Sequence, residues 1–260
     1  MTNKIANLLT LLIIFGTPLW AFDDFTLSPL LFNYRYSAET RLKKDNSLFS
    51  QSETRFQKIR DNGTNFLVQS SASTGTIEGK TFTSQLTTYY LQDGDKLSTY
   101  SIQGETRSGG QPWTDYLLSY DWENMSARVI YHDLQKKSSV NKFVSLKKGP
   151  LAVTELELYL TTLPTRQIDQ ERIELLLPNG QTIGMFLKLA AVPETITTKS
   201  QARKCYRVEV KPDLGLISQL IPNVNYWLSL EPPYELVRYS GLLGGPGSPD
   251  IIQDIVLSDK

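Results

Sequence analysis

The sequence contains one cysteine, one histidine and no run of basic residues, and each scarcity excludes a class of function. With Cys205 alone, no disulfide can form within the chain, and no cysteine lies near the N-terminus for lipid attachment. With His132 alone, a histidine-rich metal site is excluded, and any Ser/His/Asp or Cys/His catalytic group must use that residue. The 27 lysines and arginines balance 27 acidic residues, which argues against nucleic acid and anionic membrane surfaces as electrostatic partners.

Catalytic and cofactor motifs are also missing. No G-x-S-x-G, H-E-x-x-H, C-x-x-C or Walker-type glycine loop is present. His132 ends a strand-like segment, where an exposed turn histidine is ordinary, and Cys205 lies in an alternating strand, where a small buried residue is common. Asp93 and Asp95 supply too few oxygens for calcium, which takes about six to eight. We therefore expect no catalytic residues, no metal site and no cofactor, with a hydrolase using His132 as the least favoured alternative.

The first 21 residues have the pattern of a secretory signal peptide. Lys4 precedes an apolar stretch that is interrupted by Gly16 and Pro18 and ends at the small Ala21. This stretch is a poor match to the roughly 20 apolar residues of a stable membrane span, and an uncleaved anchor is the alternative. Cleavage after about Ala21 leaves residues 22–260 as one periplasmic domain with no transmembrane span. Removing Lys4 from the 27 basic residues leaves 26 against 27 acidic residues.

The rest of the chain has a sequence pattern typical of β-strands. Between residues 25 and 148, short segments alternate apolar with polar residues and are separated by turn formers, which predicts antiparallel hairpins. Asn62-Gly63 is typical of a two-residue hairpin turn. Residues 244–247, Gly-Gly-Pro-Gly, carry no cation and precede a strand-like segment, so they predict a closing turn rather than a phosphate site. Further strands are predicted at 172–177, 182–189, 204–210, 226–230, 235–239 and 251–257.

Residues 152–163 form the one good helix that the sequence predicts. Its apolar stripe consists of Ala152, Val153, Leu156, Tyr159, Leu160 and Leu163. Thr154 and Glu157 fit a capping box, and Pro164 follows the expected end. We therefore predict a mainly β fold, with a single antiparallel, strongly curved sheet (an open or half β-barrel) and one amphipathic helix packed on it.

Two parts of the chain resemble the DUF3108 family of exported bacterial proteins. Residues 118–129, LSYDWENMSARV, resemble the aromatic-Asp-Trp hairpin of that family, and its closing pattern resembles residues 191–196, 204–210, 226–229 and 234–239. Residues 200–203 depart from the small-Gly-Thr that the family places before its Lys-Cys strand. The resemblance covers most of residues 22–260. It implies an open or half-barrel like that of the periplasmic lipoprotein carriers LolA and LolB, and it supplies no catalytic residues.

The concave face of such a sheet is the predicted site. Aromatic residues in the strands can pack a core, or they can line a cavity that holds an acyl chain. We predict a periplasmic binding protein for a hydrophobic or lipid-like ligand, with a role in the cell envelope. The alternative is an envelope interaction or structural protein with a filled barrel and no ligand, whose aromatic edge docks a partner protein. A register shift of one residue would turn each wall residue outward. The expected wall residues are Tyr120, Trp122, Leu156, Leu160, Phe186 and Trp227.

Overall fold

The computed structural model of the protein describes residues 35–77, 79–93, 96–146, 150–166, 168–198, 201–215, 223–232, 234–242 and 248–257. The predicted signal peptide, Asp95 and the predicted turn at residues 244–247 lie outside these ranges. Within them, the chain forms sixteen β-strands, one short 3₁₀ turn and one α-helix.

The strands of the first half are long and follow one another closely. They are β1 Arg35–Leu42, β2 Leu48–Asp61, β3 Thr64–Ile77, β4 Lys80–Asp93, β5 Lys96–Ser108, β6 Gln111–Asp121, β7 Ser126–Asp133 and β8 Ser138–Ser145. The second half begins with β9 Leu151–Ala152, followed by the 3₁₀ turn Val153–Glu155 and helix α1 Leu156–Arg166. It continues with β10 Gln170–Leu176, β11 Thr182–Leu189, β12 Glu194–Thr197, β13 Ala202–Pro212, β14 Val224–Ser229, β15 Leu236–Leu242 and β16 Asp250–Leu257.

All sixteen strands belong to one sheet. Its order is β8-β7-β6-β5-β4-β3-β2-β1-β16-β15-β14-β13-β11-β10-β9, and β12 pairs with β13 beside β11. Two meanders are joined where β1 pairs with β16, and the pairs are antiparallel except for the short parallel pair of β9 with β10. Among the described residues, no strand pairs with the outer side of β8 or β9, so the sheet is open. The predicted fold class is confirmed.

One face of each strand is turned inward because successive side chains of a strand point to opposite faces. In β4 every second residue from Phe82 to Tyr90 is buried, whereas the residues that alternate with them are exposed or partly buried. The antiparallel register continues this inward face from strand to strand. Tyr90, for example, lies opposite the buried Leu67 of β3.

Tight hairpin turns hold this register. Asn62 and Gly63, between β2 and β3, have φ values of 47° and 86°, and Gly109 and Gly110, between β5 and β6, have values of 57° and 79°. Two consecutive residues of positive φ form the turn whose twist matches that of the flanking strands. The hairpin predicted at Asn62-Gly63 is confirmed, because Asp61 pairs with Thr64.

The helix begins and ends later than the sequence predicts. Ala152 ends β9, the 3₁₀ turn follows, and α1 continues through Pro164 to Arg166. Pro164 lies in the last turn of the helix, where its missing N–H removes only one helical hydrogen bond. The capping contact is also shifted: Ala152 donates its backbone N–H to Glu155 Oε2 at 2.6 Å, whereas Glu157 was the predicted partner in a box with Thr154.

The sheet curls around the first two turns of α1. The predicted apolar stripe is buried, with Val153 only partly so. From Leu156 onward it packs in one cluster with residues of both meanders, such as Leu67 of β3 and Leu228 of β14. A second cluster joins Leu146, Ala152 and Leu176 to the inner faces of β4 to β7. The helix is therefore held between two walls of the same sheet.

The turn between β10 and β11 brings the second half of the chain against the first. Gly180 has a φ of 74°, and a Cβ at this position would collide with the side chain of Lys142 in β8 and crowd Val129 in β7. Glycine is suited to this site both by its positive φ and by the close approach. The contact brings the β10–β11 turn against β7 and β8, although these strands are not paired with β10 or β11.

Candidate functional site: the interior at the start of α1

The start of the helix buries polar groups as well as its apolar stripe. Thr154, Glu155 and Glu157 are at most 5% exposed. Acidic residues in the first turn are favoured by the helix dipole, and on a surface helix they would face water. Here they face the walls of the curled sheet. We call the group formed by Thr99, Tyr116, Tyr120, Glu155 and Glu157 the interior polar site.

Glu155 points toward the first meander. Its Oε1 contacts Thr99 Oγ1 of β5, and its Oε2 accepts the hydrogen bond from the backbone N–H of Ala152. Burial raises the pKa of Glu155 from 4.5 to about 8, against the opposing effect of the Ala152 hydrogen bond. The carboxyl is therefore largely protonated at neutral pH, so it can donate a hydrogen bond as well as accept one.

Glu157 points toward the second meander. Tyr226 of β14 and Tyr239 of β15 have pKa values raised by burial, with an added contribution from the charge of Glu157. Burial also raises the pKa of Glu157 itself to about 8. Its Oε1 has no hydrogen-bond partner among the described residues. The two carboxyls thus face opposite walls of the sheet: Glu155 is hydrogen-bonded, and Glu157 keeps an oxygen without a partner among the described residues.

Two tyrosines of β6 complete the interior polar site. Tyr116 and Tyr120 are 6% and 7% exposed, and neither hydroxyl has a hydrogen-bond partner within the described part of the chain. Burial raises the pKa of both phenols, so they stay protonated at neutral pH. The Tyr116 ring lies over Gly104 of β5, where a Cβ would collide with it. Tyr120 stacks on Trp122 with ring centroids 5.5 Å apart.

A polar row continues from this site along the inner face of β2 to β4. Thr54 and Ser71 form a hydrogen bond of 2.8 Å, and Tyr90 donates its hydroxyl to Gln69 Oε1 at 3.1 Å. Thr88 is fully buried and its Oγ1 has no described partner. Sequence reasoning missed this row. The alternation of β4 could have predicted it, because the same alternation that turns Phe82 and Tyr90 inward also turns Thr88 inward.

Four of the six expected wall residues lie on the inner side. Tyr120, Leu156 and Leu160 are buried inside the curl. Trp122 is partly buried and packs against the cluster of β4 to β7, and it donates its Nε1–H to the backbone oxygen of Thr99 at 2.7 Å. The structure therefore brings Trp122 against Thr99 and Tyr120 of the interior polar site, whereas Leu156 and Leu160 pack in the other core cluster.

The other two expected wall residues lie on the outer face. In β11 the buried residue is Leu187, so its neighbour Phe186 points outward and is 38% exposed. In β14, Tyr226 and Leu228 are buried inside, and Trp227 between them packs against an outer cluster of Ile196, Cys205 and Val237. The reason is strand parity, which the sequence did not determine for these two strands. Neither residue can line the interior.

The single histidine lies in a polar row on the outer face. Its Nδ1 lies 2.6 Å from Asp115 Oδ1, and Asp115 of β6 and Ser139 of β8 are its cross-strand neighbours. No hydrogen bond joins Ser139 to His132 within the described ranges. Acyl transfer also needs donors for an oxyanion, and the backbone of β7 is paired on both sides. The absence of a catalytic role stays a prediction.

The described residues give little support to a Cys/His catalytic pair, a metal site or a membrane-spanning helix. Cys205 is buried on the outer face of β13, far along the strand order from His132 in β7, and burial raises the pKa of its thiol. No group of three or more His, Cys, Asp or Glu side chains among the described residues is placed to hold a metal ion. No helix that the structure describes has the length and apolar character to cross a membrane.

Comparison with known proteins gives weak likenesses. No family model matches the chain, and no curated protein matches it. One similar solved structure, from Bacteroides fragilis, is described as an exported protein with a YmcC-like fold; it shares 9% identity at a TM-score of 0.35, over 90% of this chain and 98% of that one. Another is a porin-like protein from Bacteroides uniformis, with 9% identity and a TM-score of 0.24, over 90% of this chain and all of that one. Likenesses this low assign no function, and the resemblance to the DUF3108 family stays a prediction.

Proposed function

We propose that the protein is exported to the periplasm and binds a hydrophobic or lipid-like ligand inside its curled sheet, with a role in the cell envelope. Export is supported by the N-terminal pattern of Lys4, an apolar stretch and Ala21. The kinship to the DUF3108 family belongs to the same proposal. It rests on the aromatic-Asp-Trp segment at residues 118–129 and agrees with an open, mainly β sheet.

The observation that carries ligand binding is a set of buried polar atoms without partners inside the curl. They are Thr88 Oγ1, Tyr116 OH, Tyr120 OH, Thr154 Oγ1, Glu157 Oε1 and Gln253 Oε1. Leaving a buried polar group unpaired costs about 1–3 kcal/mol, so folded proteins keep few of them. Several lie beside apolar walls at the helix start. A ligand with an apolar body and a polar group could pack against the apolar walls and form hydrogen bonds with the unpaired polar atoms.

The chemistry of this interior suits binding rather than reaction. Neutral carboxyls and phenols donate and accept hydrogen bonds without bringing net charge into a buried space. Leu156 and Leu160 supply apolar surface on the helix side. Because α1 already occupies the concave face, the ligand would lie between the helix start and the wall of β4 to β6, or would displace the helix.

Removing one unpartnered hydroxyl tests the proposal. In Tyr120→Phe the ring that stacks on Trp122 is kept and only the hydroxyl is lost. If that hydroxyl contacts a ligand, protein purified from its own periplasm should retain less co-purifying lipid by native mass spectrometry. Tyr206→Phe, which changes a partly buried tyrosine of β13, is the matched control.

A second candidate function is favoured by the burial of α1, which fills the concave face. It is the interaction protein with a filled interior and no ligand. In that case Tyr120→Phe should raise the thermal midpoint, because it removes an unpaired group, and no lipid should be found. A crystal structure with only ordered water at the interior polar site, together with no co-purifying lipid, would refute ligand binding.

A further inference from the structure

The wall of β14 to β16 carries buried polar groups in one cross-strand row that faces the helix start. Tyr226 lies opposite Tyr239, and Tyr239 lies opposite Gln253. All three are at most 4% exposed, and the rings of the two tyrosines meet edge to face with centroids 5.0 Å apart. Glu157 faces this row, since its charge contributes to the raised pKa values of both phenols. We call Glu157, Tyr226, Tyr239 and Gln253 the acceptor site; it shares Glu157 with the interior polar site.

Two oxygens of the acceptor site have no hydrogen-bond partner within the described ranges. They are Glu157 Oε1 and Gln253 Oε1, and both side chains are at most 5% exposed. The hydroxyl of Tyr239 donates its proton to the backbone oxygen of Leu242 at 2.6 Å and not to either of them. An amide oxygen can only accept, so Gln253 needs a donor, whereas a protonated carboxyl such as that of Glu157 both donates and accepts.

The interior offers no cation to balance a negative charge. Among the side chains that the structure describes, no lysine, arginine or histidine is buried, whereas Glu155 and Glu157 are buried at the helix start. An anionic group at the acceptor site would therefore be a buried charge without a partner, which is costly. A carboxylate also has no proton to give to Gln253. An ammonium group would have to ionise a carboxyl that burial keeps protonated at neutral pH.

Apolar side chains border the acceptor site on the same face of the sheet. Leu228 follows Tyr226 by two residues in β14, and Ile251 precedes Gln253 by two residues in β16, so both point inward. They are at most 1% exposed and belong to the cluster that packs around α1. An aliphatic chain attached to a group at the acceptor site would contact these side chains.

We propose that the acceptor site binds an uncharged hydroxyl headgroup of the ligand. A hydroxyl donates to Gln253 Oε1, pairs with Glu157 Oε1 as donor or acceptor, and brings no charge into the interior. The aliphatic chain that carries it packs against Leu228 and Ile251. The ligand is then an amphiphile with a free hydroxyl, and not a fatty acid or a phosphate ester. This inference rests on the proposed function and adds the chemical class of the headgroup and the wall that holds it.

Compounds that share one decyl chain separate the effect of the headgroup from that of the chain. The mature protein is titrated by calorimetry at neutral pH with 1-decanol, decyl methyl ether, decanoate and decylamine, each below its solubility limit or critical micelle concentration. The ether keeps the oxygen of 1-decanol and loses its proton. We expect 1-decanol to bind about tenfold more tightly than each of the others, because only its headgroup donates a hydrogen bond without carrying a charge.

Glu157→Met and Gln253→Met each remove one of the unpaired oxygens and keep an unbranched side chain of similar length. In each variant the affinity for 1-decanol should fall to within about twofold of that for decyl methyl ether, and the affinity for the ether should stay unchanged. Glu123→Met makes the same exchange in the exposed turn after β6 and should keep the preference for 1-decanol. Circular dichroism verifies that each variant is folded, and the comparison of the compounds on the parent protein needs no variant.

The outcomes distinguish this inference from the proposed function. If decyl methyl ether binds as tightly as 1-decanol, or if decanoate or decylamine binds more tightly, the hydroxyl headgroup is overturned and interior binding stays intact. A preference for 1-decanol that survives both Glu157→Met and Gln253→Met overturns the acceptor site as the place of the headgroup. If none of the compounds binds, the proposed function is refuted as well.

Discussion

Replacing Glu157 by glutamine should make the protein more stable at pH 8 and nearly unchanged at pH 5. Glutamine keeps the shape of the side chain and cannot ionise. Glu157 is 5% exposed, one of its oxygens has no described partner, and it faces the tyrosines of β14 and β15. The substitution therefore removes the titration while it leaves the packing in place.

The magnitude follows from the pKa of Glu157, which burial raises from 4.5 to about 8. Between those two pH values the carboxyl ionises in the unfolded chain but not in the folded chain. The contribution of Glu157 to the free energy of unfolding is therefore fully present below pH 4.5, and it is lost as the pH rises toward 8. One pKa unit corresponds to about 1.4 kcal/mol. The cost of burying this carboxyl grows by about 3–4 kcal/mol between pH 5 and pH 8.

Urea unfolding at pH 5, 6.5 and 8 measures this difference. The free energy of unfolding of Glu157→Gln minus that of the parent protein should increase steadily with pH. Glu123→Gln, in the exposed turn after β6, removes one carboxyl from the surface and serves as the control. A parent protein and a Glu157→Gln variant with the same pH dependence would show that this carboxyl does not titrate with a raised pKa.

Three further substitutions test the packing and the outer face. Leu160→Ala should reduce the free energy of unfolding by about 2–5 kcal/mol, because Leu160 is fully buried; a loss below 1 kcal/mol would contradict its place in the core. Gly104→Ala should displace the ring of Tyr116 and change the near-UV circular dichroism, and an unchanged spectrum would refute that contact. His132→Ala should leave ligand retention unchanged, and a fluorophosphonate probe should not label Ser139. Labelling that depends on His132 would establish a hydrolase.

The strand pattern was predictable because it follows from local chemistry. Alternation in β4 and the turn at Asn62-Gly63 depend on neighbours in sequence, and both agree with the structure. The apolar stripe of α1 was predictable for the same reason, since Leu156 and Leu160 repeat at helical spacing. The end of the helix could not be predicted in this way. Pro164 is tolerated in a last turn, which the sequence rule for helix ends does not anticipate.

The interior polar site could be predicted only in part. Tyr120 was expected to face inward and does, but the inward direction of Glu155 and Glu157 depends on the second wall, which is built from strands far along the chain. A helix against one sheet would have left these acids in water. The prediction that Phe186 and Trp227 line the interior was wrong for another long-range reason. The partner strands of β11 and β14 determine which of their side chains point inward. The pairing of β1 with β16 has no local sequence signal.

The start of α1 combines two opposing contributions to stability. Leu156, Leu160 and Leu163 are almost fully buried, and burial of each leucine stabilises by about 1.5–3 kcal/mol. At pH 8 the two buried carboxyls oppose this by a sum of similar size, and at pH 5 by much less. At position 157 an apolar residue of the same shape would hold the helix more firmly at every pH, whereas Glu155 also accepts the hydrogen bond of the Ala152 N–H. In a filled interior with no ligand, the unpartnered oxygen of Glu157 and the two unpaired phenols would only reduce stability, whereas the ligand that we propose would form hydrogen bonds with them.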